Sequence, residues 1–322
     1  MSFEQRFALV LFSAFFLSSI ATSLAAFIVA SPLFRSHARP FAPGHAGALA
    51  LCRLLPAMLA IALTAFVLGP GYFEHEQRTE AEGAGYALFA LATGGLLVLM
   101  ASLARVARAM ARTSALKRAW LAEARPVDVP SAGMPAFALD LPFPLVAVLG
   151  VLRPRLFISR VVLSACSSAE LRAILQHEHA HVMRRDNAVR MLMDASPDLL
   201  GFTRLPRAIA DAWHQAVEHR ADDAAAERLD LASALVKVAR IATASPAIEL
   251  PASALYRGEG SASIGTRVRR LVDTETEPRP RWMAAVAGSA VALGAIVFAV
   301  ALTGAASRAA HAVLEATVSF LP

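Results

Sequence analysis

Five residues, His177-Glu178-His179-Ala180-His181, decide how the rest of this chain is read. On a helix, His177 and His181 stand one turn apart on the same face, where two imidazole nitrogens can reach one Zn²⁺. Glu178 lies beside them, placed to take a proton from a water instead of binding the metal. Upstream, Ser167-Ser168-Ala169-Glu170 is a capping-box signature for a helix start. Leu171, Ile174, Leu175, His177, Glu178, His181 and Val182 then recur at the three-and-four spacing of one helical face. The motif therefore sits on a half-buried helix.

A site of this kind needs a third protein ligand, and the stretch from Pro206 to Leu229 offers one. Pro206 suits a first helical turn, and the run after it has helical composition. Glu218 is the expected ligand, giving two His and one Glu with a position open for water. Asp222, one turn on, is expected to accept a hydrogen bond from the far nitrogen of a ligand His and so fix its tautomer. His214, one turn before Glu218, competes for the ligand role. His179 points away from the metal face and is read as a packing residue, and His219 as solvent-facing. No nucleophile-elbow motif supplies a Ser-His-Asp alternative.

Composition sets the surroundings. With 322 residues, 57% of them apolar, and a mean hydropathy of +0.52, the chain has room for one soluble domain and several membrane spans. A net charge of +6 and a pI near 10.1 raise the question of nucleic acid. The Arg residues cluster beside apolar stretches, however, which fits anchoring at lipid headgroups, and no base-reading motif is visible. Direct nucleic-acid binding is not expected. Cys52 and Cys166 form neither a disulfide framework nor a Cys-ligand metal site.

Apolar runs at about 7–30, 47–69, 86–104 and 283–303 are each long enough to cross a bilayer. The first lacks a basic n-region and a clear cleavage site, and is read as a retained span. The loop 70–85 is acidic, with Glu74, Glu76, Glu80 and Glu82, whereas Arg105, Arg108, Arg112, Lys117 and Arg118 follow the third run. Basic segments stay in the cytoplasm, so residues 105–282 are expected inside and both termini outside. Within that inner region, 124–163 reads as a small antiparallel sheet with turns at Ser131-Ala132-Gly133 and Gly150. Helices are expected over 206–229 and 231–241, and a Ser/Ala/Gly/Pro loop over 244–265.

Gln176-His177-Glu178-His179-Ala180-His181-Val182-Met183-Arg184-Arg185-Asp186, followed by Glu218-His219-Arg220-Ala221-Asp222, resembles the zinc peptidase domain of the BlaR/MecR family of bacterial membrane sensor-transducers. Gly150-Val151-Leu152-Arg153-Pro154-Arg155-Leu156-Phe157-Ile158 is similar to the segment before the active helix in that family. The resemblance spans roughly residues 100–305 and extends to the wider group of Glu-ligand zinc peptidases that includes the HtpX type. It implies a mainly α, polytopic protein of the bacterial inner membrane with four transmembrane helices and a cytoplasmic α+β zincin-like domain. It also implies a Zn²⁺ on His177, His181 and Glu218 with Glu178 as base, and an Asp186 that anchors the end of the active helix. A solvated acid beside Arg184 and Arg185 is the plainer reading of that Asp. By the same resemblance, Val146 to Val151 is an edge strand that pairs with extended substrate, Thr266 to Val272 is a short helix before the last span, and the substrate is a winged-helix repressor or the peptidase itself.

The family's beta-lactam receptors carry an extracellular penicillin-binding domain with a Ser-x-x-Lys nucleophile after the fourth span. Here the short stretch after residue 303 contains no Lys, so direct beta-lactam sensing is not expected. Two other readings stand beside signalling: an HtpX-type quality-control protease, and a non-enzymatic transducer with a structural zinc site. Glu178 argues against the last, because a structural site needs no base.

Overall fold

The computed structural model describes residues 2–36, 45–75, 85–129, 133–197, 199, 203–244, 261–273 and 312. The expected fourth span, most of the 244–265 loop and all of the tail but residue 312 lie outside them.

Helix α1 (Phe3–Ser36), helix α2 (Ala46–Leu63), which runs through a π-helical turn at Thr64–Leu68 into α3 (Gly69–His75), and helix α4 (Tyr86–Glu123) form an apolar bundle. Three stretches in it, Phe3–Ile28, Ala46–Glu74 and Tyr86–Glu123, are long and apolar enough to cross a membrane. Helices α1 and α4 meet closely at Gly95, where an added Cβ would run into the carbonyl oxygen of Phe12. The helix that carries the third apolar run, expected at about 86–104, does not stop with it. Helix α4 continues unbroken to Glu123 and hands over directly to the sheet.

The sheet comprises β1 (Arg125–Val127), β2 (Ala136–Leu139), β3 (Val146–Leu149) and β4 (Arg155–Ser159), in the order β1-β2-β4-β3. It is mixed instead of antiparallel, since β2 and β4 run parallel while β1–β2 and β3–β4 are antiparallel. Short apolar strands carry no mark of direction, and β4 is inserted between β2 and β3 after the turn at Gly150, whose φ is 110°. One face of the sheet packs Leu139, Leu149 and Phe157 against Trp120 and Leu121 of α4. The other buries Val148, Leu156 and Ile158 with Ile174 and Leu175, in the main core beneath the His177 helix.

After a short helix α5 (Arg160–Ala165), the expected capping box opens α6 (Ser168–Met183): Ser167 Oγ accepts from Glu170 N, and Glu170 Oε2 accepts from Ser167 N. Arg185 adopts the left-handed conformation, φ 55°, and ends the run. The chain then starts α7 (Asp186–Ala195), a helix the sequence pattern did not announce, followed by α8 (Leu205–Asp222), α9 (Arg228–Ala244) and α10 (Ser261–Val272). Helix α8 stops at Asp222, short of the expected Leu229, and α10 begins before Thr266. Glu170 also ties α9 to α6: its carboxylate accepts from Ser233 Oγ at 2.6 Å and Lys237 Nζ at 2.7 Å.

The membrane-type helices and the soluble-type helices share one core. Ala46, Leu49 and Ala50 of α2 pack with Met193 of α7 and with Ala212, Trp213, Ala216 and Val217 of α8. Arg105 of α4 donates to Asp194 O and Ser196 O at 3.0 and 3.1 Å, which places a cation at the C-terminus of α7, where the helix dipole favours it.

Candidate metal centre and catalytic cleft

Helix α6 presents His177 and His181 one turn apart, and α8 brings Glu218 up to them. His177 Nε2 lies 3.2 Å from His181 Nε2, and Glu218 places Oε2 3.4 Å from His177 Nε2 and Oε1 3.5 Å from His181 Nε2. These three side chains are the metal-competent group among the described residues. His214 lines the same cleft but is not part of the group.

The spacing has a chemical reading. Donors about 2.0–2.1 Å from a tetrahedral ion stand roughly 3.3 Å from one another, which is the separation seen here. Two imidazole lone pairs and a carboxylate facing each other at that distance repel unless a cation or a proton lies between them. The donor set therefore fits a divalent metal ion.

Each histidine is backed on its far side by a carboxylate, and each carboxylate is held by an arginine. His177 Nδ1 lies 3.1 Å from Asp222 Oδ1, and Arg267 donates to Asp222 from Nε at 3.0 Å and from Nη2 at 2.6 Å. His181 Nδ1 lies 2.9 Å from Asp186 Oδ2, and Arg220 Nη2 donates to Asp186 Oδ1 at 2.7 Å. With both Nδ1 atoms turned to carboxylates, both Nε2 atoms face each other and the Glu218 carboxylate. Asp186, expected either as an anchor or as a solvated acid, is buried and starts α7. Arg267 also reaches Glu218 Oε2 at 3.0 Å.

Burial opposes charge on His177, but the carboxylates of Asp222 and Glu218 outweigh it and raise the pKa of the metal-free imidazole to about 9. Burial likewise works against ionised Glu218, yet His177, Arg267 and His181 hold its carboxyl well below the usual range. Glu178 goes the other way. Burial pushes its carboxyl up against the pull of His177 and His181, which suits a group that must accept and return a proton near neutral pH.

The remaining histidines separate cleanly. His179 packs its ring against Gly133, where an added Cβ would come within 2.8 Å of it, and Gly133 itself has φ 64°. His219 does not face solvent as expected. It is buried, because α10 covers that side of α8 and Arg270 Nη1 donates to its carbonyl at 3.2 Å. Burial and then the nearby Arg270 lower its pKa.

The metal group opens into a cleft of about 470 Å³. Val146 and Val148 of β3 form one side, Leu235 and Val238 of α9 line an apolar wall, and Asn187 and Arg190 of α7 add polar groups. Arg267, Arg220 and Asn187 are the site residues that sequence reasoning missed. Arg220 stands inside the quoted Glu218 to Asp222 pattern and could have been weighed there, whereas nothing local marks Arg267.

Residues 110–253 match the profile of Peptidase family M48. That stretch carries α6, α7 and α8, and with them His177, Glu178, His181, Asp186, Glu218 and Asp222, but it ends before Arg267. A search of curated proteins finds no match.

Proposed function

We propose that the chain is a membrane-anchored, zinc-dependent endopeptidase that cuts an extended polypeptide at the cytoplasmic face of a bacterial inner membrane. The observation that carries this reading is the convergence of His177, His181 and Glu218 to tetrahedral spacing with Glu178 on the wall of the same cleft. The match of residues 110–253 to a metallopeptidase family points the same way.

A Zn²⁺ held by His177, His181 and Glu218 would supply Lewis-acid polarisation of the scissile carbonyl and an acidified water. Glu178 takes the proton from the attacking water and returns it to the leaving amine nitrogen. Asp222 and Asp186 keep the two imidazoles oriented, and Arg267 and Arg220 hold those carboxylates in place. The substrate strand is expected to lie along β3, whose outer edge borders the cleft.

For the client, we favour a cytosolic winged-helix repressor or the peptidase itself, as in the sensor-transducers the sequence resembles. A quality-control role of the HtpX type is supported equally by the M48 match, which concerns the peptidase domain alone. Sidedness rests on the charge asymmetry of the loops, and a reporter fused after Leu116 is expected to be active in its cytoplasmic form.

Glu178→Gln tests the enzyme reading. The zinc-loaded variant should keep its metal and its fold but lose about 10² to 10⁴ in cleavage rate. Comparing new protein termini in cells carrying wild type or Glu178→Gln would identify the client. Undiminished cleavage by the variant would end the proposal.

A further inference from the structure

Among the described residues, β3 is the outer strand of the sheet and pairs only with β4. Ser159 N donates to Leu145 O at 2.8 Å, which makes Leu145 and Ser159 a hydrogen-bonded pair. The register continues with Ala147 opposite Phe157 and Leu149 opposite Arg155. In antiparallel pairing, alternate residues turn both backbone groups to the partner. Val146 and Val148 therefore turn theirs outward, at the edge of the cleft that both line.

One of those outward groups already has a partner. Asn187 Nδ2 donates to Val148 O at 3.3 Å, and Asn187 Oδ1 accepts from Arg190 Nη2 at 3.5 Å. Both bonds are long compared with the ~2.9–3.0 Å typical of N–H···O pairs, so both are weak. Asn187 itself lines the cleft and directly follows Asp186, the carboxylate behind His181.

We infer that the Asn187 carboxamide is an internal competitor for the substrate backbone: it holds the Val148 carbonyl in the resting protein, and an incoming strand must displace it to pair fully with β3. The inference rests on the peptidase reading of the cleft. Only an extended segment that offers an N–H at that register regains the bond it breaks, so Asn187 disfavours segments that cannot lie extended along β3. The two weak bonds keep the exchange easy.

The test uses the zinc-loaded full chain in lipid nanodiscs, with fluorescein-labelled β-casein as substrate. Asn187→Ala and Asn187→Val both remove the donor, and both should lower KM by about two- to tenfold without lowering kcat, as expected for loss of one competing hydrogen bond. In a peptide taken from the casein digest, methylation of one particular backbone nitrogen should abolish that gain. An unchanged or higher KM in both variants, at wild-type zinc content, would overturn the inference. Loss of zinc from both would also overturn it, by showing that Asn187 supports the Asp186–His181 contact instead. The peptidase reading fails separately: absence of any Glu178-dependent cleavage would remove both, whereas the KM comparison removes only this one.

Discussion

Arg267 and Asp222 are joined by two hydrogen bonds, Nε to Oδ2 at 3.0 Å and Nη2 to Oδ1 at 2.6 Å, across 45 positions of sequence. Asp222 is fully buried, and His177 Nδ1 lies 3.1 Å from the same Oδ1 that accepts from Arg267 Nη2. Arg267→Met should leave that carboxylate without its fixed counter-charge, free to turn or to protonate. Zinc affinity should then fall by about 10- to 100-fold, in line with other losses of a ligand's supporting contact. Arg267→Lys should recover only part of it, because an ammonium cannot make the paired contact. A competition titration against a metal indicator would measure both.

Glu218→Ala should lower zinc content or affinity strongly, whereas His214→Ala should leave it near wild type. Metal analysis of the purified proteins decides between them. If His214→Ala strips the metal and Glu218→Ala does not, the third ligand has been wrongly chosen.

Metal uptake should release a proton. Burial lowers the pKa of His177, but Asp222 and Glu218 more than reverse that and raise it to about 9 in the metal-free protein. Below that pH the imidazole carries a proton that the metal must expel. Apparent affinity should therefore weaken by about tenfold per unit as the pH falls from 9. Calorimetric titration in two buffers of different ionisation enthalpy, near pH 7.5, should report about one proton leaving this group per metal bound.

Glu170 gives a prediction about stability alone. Burial disfavours its charge, but Lys237, Ser233 and the Ser167 amide together bring its pKa down from 4.5 to about 2. A depressed carboxylate pKa means stability that is fully present above the unfolded value and lost as the pH drops toward the folded one. Glu170→Gln should therefore lower thermal stability at pH 7, by about 1–3 kcal/mol, and the difference should shrink between pH 4.5 and pH 2. Equal melting at neutral pH would show that the Glu170 network contributes nothing net.

How much of this was readable in advance depends on the range of the interaction. The α6 helix was legible because its cap, its apolar spacing and its two histidines all lie within 17 residues, from Ser167 to Val182 and Met183. Glu218 and Asp222 were legible as a one-turn pair on a single helix. Arg267 was not, since its partners lie on another helix and it stands beside Arg269 and Arg270, which look the same in sequence. Strand direction was invisible for a similar reason. Four-residue apolar strands such as β2 and β3 specify a face but not a neighbour. His219 was misread because helical spacing shows which side of α8 it occupies but not that α10 covers that side. Helix α7 was missed because a left-handed Arg185 restarts the chain where the pattern only suggested an end.

Trp213 and Val217 touch the cleft on one side and helix α2 on the other. The core that places Glu218 is therefore partly made of a helix long and apolar enough to cross a membrane, and the two cannot be assigned separate stabilities. Linkage would make the relation mutual on the proposed reading: any free energy with which bilayer thickness or lipid composition biased the placement of α2 would be felt at Glu218, and metal binding would bias α2 by the same amount. On the membrane-anchored reading proposed above, a bilayer would act as an effector of this site, and the dependence of zinc affinity on lipid composition would measure it.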